Sequence, residues 1–273
     1  MGLFGGREDP EDLMYHAMDM MEKNQPKAAV SLFNKVLKQD PRSVSALHNK
    51  GLALNQIKKY QDAVTCFDLV LEQNPRDAPA LNNKGISLAE MGNTQDAAEC
   101  YDKAIEADPK YAASYFNRGV LFDKLGDREE ALACMEKAVA VDPRKPNALF
   151  YKGIVLGKMR RHEEALNCFE NVCRKFPRHL DAKFQKGVQQ AELGEHKKAV
   201  RLFDEILKDH KNNSNVIYAK SRSLAALDEN SRAMEMLKDA IARNPKVIRA
   251  WAREEKIFEK YHAFDQFRRM VKM

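Results

Sequence analysis

Apolar and small residues in this chain recur as two alternating triplets, each spaced i, i+4, i+7 like one face of an α-helix. Tyr115, Gly119 and Phe122 form a triplet of the first kind, and Ala97, Tyr101 and Ala104 one of the second. Short polar stretches containing Gly92, Gly126 or Gly194 separate a first triplet from a second and mark turns. Pro26 opens one second helix, where its missing N–H leaves no bond unmade. Asp-Pro pairs at 40–41, 108–109 and 142–143 close one pair of helices and begin the next. The pattern predicts helix hairpins in succession, and few stretches show the period-two alternation of a strand.

The hairpins recur at a fixed step of 34 residues. Pro41, Pro75, Pro109, Pro143 and Pro177 keep it, with Pro245 two steps further on and Lys211 between. Ala29, Ala63, Ala97, Ala131, Ala165, Ala199 and Ala233 keep it without exception. So do Gly51, Gly85, Gly119, Gly153 and Gly187, with small Ala17 and Ser221 at the ends of that series. Counted from Pro10 as position 1, seven units follow: 10–43, 44–77, 78–111, 112–145, 146–179, 180–213 and 214–247. Residues 1–9 read as a flexible tail, and 248–273 as a cap with an incomplete eighth unit. Gly at position 8 and Ala at position 20 are small where the two helices of a pair must approach. Each hairpin has too little core to stand alone, so units must stack on their neighbours.

The third unit carries Leu81, Lys84, Gly85, Leu88, Ala97, Tyr101, Ala104 and Pro109, and this set resembles the signature of the tetratricopeptide repeat family. The resemblance covers about 238 of the 273 residues, tight at positions 8, 20 and 32 and looser at 4 and 7. It implies an all-α fold, a right-handed α-solenoid of seven consecutive 34-residue helix hairpins with a C-terminal capping helix. It also implies a concave surface, lined by the first helices, that holds an extended peptide or a partner helix.

Helical geometry sets positions 2, 5, 6, 9, 12 and 13 opposite the apolar face of each first helix. Position 6 carries Asn49, Asn83 and Asn117, then Tyr151 and Gln185. An Asn carboxamide donates and accepts, so a row of them can hold a peptide backbone without reading its sequence. The row resembles the asparagine ladder of some family members; the alternative is an exposed helix site that happens to hold Asn. Position 5 reads Met14, His48 and Asn82, then Phe116, Phe150, Phe184 and Tyr218, with Leu52, Ile86, Val120, Ile154 and Val188 beside it at position 9. Exposed, these would form an apolar interaction strip. Alternatively, position 5 packs between neighbouring helices.

Charge narrows the choice of partner. The chain is +6 overall, yet the groove positions hold Glu11, Glu22, Glu90, Asp123, Asp181 and Glu192 against Lys124, Lys158 and Arg222, a net of −3. That argues against nucleic acid in the groove. Family members that clamp chaperone C-terminal carboxylates need basic residues at positions 2 and 5, which no unit has. The expected partner is therefore a protein segment, neutral or basic, with apolar anchors. Position 7 is Lys50, Lys84, Arg118, Lys152, Lys186 and Lys220, and Asp68, Asp102, Glu136, Glu170 and Asp204 at position 25 are candidate ion-pair partners. Residues 246–273 hold eight Lys or Arg against four Asp or Glu, and Arg249, Arg253, Lys256 and Lys260 predict a basic stripe on the cap.

Cys66, Cys100, Cys134 and Cys168 share position 23, a packing site held elsewhere by Leu or Met, which fits reduced thiols and a cytoplasmic setting. Phosphate-binding loops, nucleophile elbows and metal-ligand spacings are missing from the sequence, so it predicts no enzyme, metal or cofactor. It also shows no apolar run of membrane-span length. The function expected is a non-catalytic protein–protein interaction adaptor. The alternatives are a self-assembling solenoid, or RNA or acidic-surface binding through the basic cap.

Overall fold

A computed structural model of the chain describes residues 9–272, so the predicted tail lies outside it except for Asp9. Chain packing divides it into two compact units, Met1–Pro143 and Arg144–Met273, each packed within itself. The first holds α1 (Pro10–Glu22), α2 (Pro26–Gln39), α3 (Val44–Gln56), α4 (Tyr60–Gln73), α5 (Ala78–Glu90), α6 (Thr94–Ala107), α7 (Ala112–Leu125) and α8 (Arg128–Val141). The second holds α9 (Pro146–Lys158), α10 (His162–Lys175), α11 (Leu180–Glu192), α12 (His196–Asp209), α13 (Ser214–Ala226), α14 (Asn230–Arg243) and α15 (Pro245–Glu254). It ends with a 3-10 turn (Lys256–Tyr261) and α16 (Asp265–Val271). Among the described residues there is no strand, and within each unit every helix packs on the next one in sequence.

Local chemistry sets the helix ends. Side chains of Asp9, Ser43, Asp77, Asp127, His179 and Asn213 cap first or second helices by accepting backbone N–H bonds that the helix itself leaves unmade. At position 15 each hairpin turns through the left-handed region. Gly92, Gly126 and Gly194 adopt φ of +87°, +89° and +78° there, and Asn24, Lys58, Arg160 and Asp228 adopt φ of 55° to 61°. Glycine enters this region freely, whereas Lys58 and Arg160 carry a Cβ into it.

The recurring glycine at position 8 has a steric reason. A Cβ on Gly85 would lie 2.7 Å from the Tyr101 ring, and one on Gly51, Gly153 or Gly187 would lie 2.6–2.8 Å from the ring of Phe67, Phe169 or Phe203. The glycine of the first helix thus receives the large residue at position 24 of the second. Phe33, Phe67, Phe169 and Phe203 are wholly buried there, and the Ala at position 20 is wholly buried in every hairpin.

Within each unit, ion pairs tie several hairpins to the one before. Lys84 Nζ lies 2.6 Å from Asp68, Lys186 Nζ 3.1 Å from Glu170 and Lys220 Nζ 2.6 Å from Asp204. Arg118 reaches Asp102 at 2.7 Å, pairs also with Glu130, and lies 4.6 Å over the Phe122 ring. Burial pulls the Lys84 amine toward neutrality, but its hydrogen bond to Asp68 and the surrounding negative charge outweigh this and raise its pKa. The carboxylates remain largely in water, so each pair contributes less than about 1 kcal/mol. Lys84→Leu is therefore expected to change stability by less than about 1 kcal/mol in thermal unfolding, with the difference shrinking as salt is added.

The C-terminal cap departs from the repeat. Asn244 ends α14 and precedes α15 directly, with no turn between. The sequence pattern predicts a continued helix bearing Trp251 at position 4 and Phe258 at position 11. Instead α15 stops at Glu254, Glu255 is extended (ψ 115°), and Phe258 lies in the 3-10 turn. Glu255 occupies position 8, where a charged side chain cannot enter the core. The chain leaves the helix there, Glu255 pairs with Arg222 at 2.7 Å, and Phe258 turns inward to full burial. The expected basic stripe is broken by the same change. Arg249 Nε donates to the Met270 carbonyl at 3.0 Å, and Lys260 Nζ lies 2.6 Å from both the Ala225 carbonyl and Asp228.

Candidate functional site

In the first unit, Asn49, Asn83 and Asn117 stand on α3, α5 and α7, all half-buried. Asn117 Nδ2 donates to Asn82 Oδ1 at 2.9 Å, and Asn83 Nδ2 lies 3.3 Å from His48 Nε2. Position 6 of one hairpin is thus bonded to position 5 of the hairpin before it. Asn49 Nδ2 donates to the Ser45 carbonyl of its own helix at 2.9 Å. The side-chain donors serve the fold, while Asn49 and Asn117 make no internal bond through their carboxamide oxygens. Burial holds the His48 pKa below its ordinary value, consistent with a neutral ring accepting from Asn83. Phe116 is half-buried in the same row.

In the second unit the position-5 rings lie against large side chains. Phe150 meets Phe169 edge-on at 5.6 Å and stacks on His179 at 5.0 Å. Phe184 lies 6.1 Å from Phe203. Tyr218 is buried between Trp251 at 5.5 Å and Phe258 at 6.0 Å, and burial raises its hydroxyl pKa well above the ordinary tyrosine value. Of the two readings of this strip, packing describes Tyr218, while Phe150 and Phe184 keep part of each ring in solvent.

Tyr151 and Gln185 are half-buried on α9 and α11. Gln185, Ile154 and Val188 line an open cleft of about 480 Å³ between these helices, together with Gly157, His162 and Gln189. Gln189 stands at position 10, outside the groove positions, whereas Gly157 stands at one of them. The available signal was Gly157 at position 12, where other units carry larger residues such as Ala89, Asp123 or Ala191. Several groove charges are compensated internally: Lys124 lies 3.3 Å from Glu90, and Arg222 lies 3.2 Å from Glu192.

The comparisons with known proteins bear on this arrangement of stacked hairpins. The family model for the N-terminal tetratricopeptide repeats region of Psidin matches residues 14–117. Three tetratricopeptide repeat models match residues 112–145, 152–214 and 190–257. The chain belongs to the tetratricopeptide repeat family. No curated protein matches it in sequence.

Among solved structures, YrrB, described as a tetratricopeptide protein with an unusual peptide-binding site, is 24% identical with a TM-score of 0.59. The match covers 69% of this chain and 97% of that one. A tetratricopeptide protein from Parabacteroides merdae is 19% identical with a TM-score of 0.63, over 88% of this chain and 96% of that one. The Cut9–Hcn1 hetero-tetramer of the APC/C supplies a chain 18% identical with a TM-score of 0.67. There the match spans 93% of this chain and 48% of the other. At these identities the likeness speaks for the fold. Tetratricopeptide proteins are in general non-catalytic scaffolds for protein–protein interaction, and this chain has that scaffold. Among the described residues, no helix is long and apolar enough to cross a membrane.

Proposed function

We propose that this tetratricopeptide protein is a cytoplasmic, non-catalytic adaptor that holds an extended segment or a helix of a partner protein against its first helices. The reading takes residues 10–247 as seven tandem units and 248–273 as their cap. One observation carries it: on successive first helices, the donors of Asn83 and Asn117 are engaged by neighbouring hairpins while the carboxamide oxygens of Asn49 and Asn117 are uncommitted. A row fixed in this way presents acceptors to the backbone N–H groups of a bound segment, with little side-chain entropy left to lose. In the first unit the exposed edge of Phe116 supplies apolar contact for a bound segment, and in the second unit the edges of Phe150 and Phe184, with Ile154 and Val188, do the same. Within the second unit, Tyr151 and Gln185 offer polar contacts from the same position on α9 and α11, and Tyr218 acts from beneath by holding its neighbours in place. An isolated peptide of this kind binds near the micromolar range, about −8 kcal/mol.

The test is affinity capture from native lysate by wild type and by an Asn49→Ala, Asn83→Ala, Asn117→Ala variant. Circular dichroism melting would first establish that both are folded. Loss of the two inter-hairpin bonds is expected to lower stability by about 1 kcal/mol each, and capture of groove partners is expected to fall with the triple variant. Asn49→Ala alone leaves every bond between hairpins in place, so weakened capture by it separates binding from stability. Undiminished capture by both variants would refute the clasp.

A further inference from the structure

We propose that the small cleft between α11, α12 and α13 is a pocket for a carboxamide, supplied by an Asn or Gln side chain of the bound segment. The inference rests on the groove reading for the segment that carries the amide, but the pocket is built from this chain's own residues. The cleft holds about 160 Å³ and is lined by Ala191, Glu192, His196, Arg222, Ser223 and Ala226, with Ile257 from the 3-10 turn. Ala191, Glu192, Arg222 and Ala226 stand at groove positions 9, 12 and 13, so the cleft lies on the face given to the segment. His196 Nδ1 and Ser223 Oγ, both buried, have no hydrogen-bond partner, and Ser223 is only 1% exposed. A polar atom withdrawn from water without a partner is a net cost that a fitting ligand removes.

The preceding hairpin shows which group fits. His162 and Gln189 stand 34 residues before His196 and Ser223, and there Gln189 Oε1 lies 2.9 Å from His162 Nδ1. In that hairpin the chain's own carboxamide meets the ring. In the next, Ser223 ends where Gln189 continues into its amide, and the ring is left without a partner. A carboxamide both donates and accepts, so one arriving from outside can serve the ring nitrogen and the serine hydroxyl together. Charge disfavours the corresponding acid. Arg222 Nε lies 2.7 Å from Glu255 and its Nη2 3.2 Å from Glu192, so one cation faces two carboxylates. Burial and the nearby Arg222 charge hold the His196 pKa below its ordinary value, which keeps the ring neutral. The surroundings are therefore negative on balance and favour a neutral polar group. One local difference remains: Ala191 stands where the preceding hairpin has Gly157, and a Cβ on Gly157 would lie 3.1 Å from Gln189 Nε2. An amide in this cleft accordingly seats slightly further out than that of Gln189.

The direct test is an imidazole NMR titration of the full chain. The His196 ring would be assigned by its disappearance in His196→Asn, a change in keeping with Asn230 at the same position of the next unit. The probes are N-acetyl-glutamine N-methylamide, its glutamate counterpart, and N-acetyl-alanine N-methylamide, which carries the backbone amides alone. The glutamine probe is expected to shift the His196 ring with a dissociation constant on the order of 1 mM, and the other two to bind more weakly. Ser223→Ala removes the hydroxyl without adding volume and is expected to weaken the glutamine probe about five-fold. Ser223→Gln supplies the amide from within, as Gln189 does, and is expected to abolish the shift. Three results would each overturn the proposal: an equal response to the glutamate or alanine probe, no shift with any probe, or an unchanged response in either folded Ser223 variant. Probe binding together with undiminished capture by the Asn variants would keep the pocket and remove the clasp. Loss of capture in those variants with no probe response would remove the pocket alone.

Discussion

Phe169→Ala is expected to destabilise the second unit by about 3–5 kcal/mol, read from the midpoint of guanidinium or urea unfolding. Phe169 has no solvent exposure, and its ring fills the space that Gly153 leaves on α9. It also supports Phe150 at 5.6 Å. Alanine would leave a cavity bounded by rigid helix backbone, which cannot collapse to fill it. Phe169→Leu should cost markedly less, since Leu237 and Met135 occupy the equivalent position in other hairpins and are wholly buried there. In a stack of nearest-neighbour units, losing one hairpin uncouples those on either side. The unfolding transition of Phe169→Ala should therefore broaden as well as shift. A loss below about 1 kcal/mol would mean that position 24 does not carry the hairpin core.

Phe258→Ala is expected to cost a comparable 3–5 kcal/mol and to release the C-terminal cap. Phe258 is wholly buried and touches Tyr218 at 6.0 Å, Tyr261 at 6.1 Å and Phe267 at 6.2 Å, so one ring joins α13, the 3-10 turn and α16. The chain has a single tryptophan, Trp251, 5.5 Å from Tyr218, which gives a local probe. Its emission should shift to the red in Phe258→Ala at denaturant concentrations where wild type is native. Limited proteolysis should then cut after residue 254 first. Unchanged emission and cleavage would show that the cap is held by its other contacts, such as the Tyr261 hydroxyl bond to Asn230 at 2.5 Å.

Most of the fold was legible because each repeat states the same local rules seven times. The i, i+4, i+7 triplets, the glycine at position 8 and the alanine at position 20 report contacts inside one hairpin. Such contacts depend on residues a few turns apart. The ion-pair row was legible for the same reason, since Lys84 and Asp68 lie 16 residues apart in a repeating frame. The cap was harder to read. Its pattern has no second copy, and whether Glu255 continues a helix depends on Arg222, a partner from the preceding hairpin.

The candidate site divides along the same line. Sequence spacing placed Asn49, Asn83 and Asn117 on equivalent points of successive helices, but not the bonds from Asn83 and Asn117 back to His48 and Asn82. Those bonds decide which half of each carboxamide is available. The spacing likewise left position 5 open between groove and core, and packing against Phe169, Phe203 and Phe258 drew its rings inward. Only the tertiary structure brings Gln189, from the next hairpin, to the cleft beside Gly157, with its Oε1 2.9 Å from His162 Nδ1. By itself, the sequence determined the helices, their pairing and their periodic order, because these follow from local spacing and side-chain size. Tertiary structure decided which polar atoms remain uncommitted, because that depends on neighbours from other hairpins competing for the same donors and acceptors.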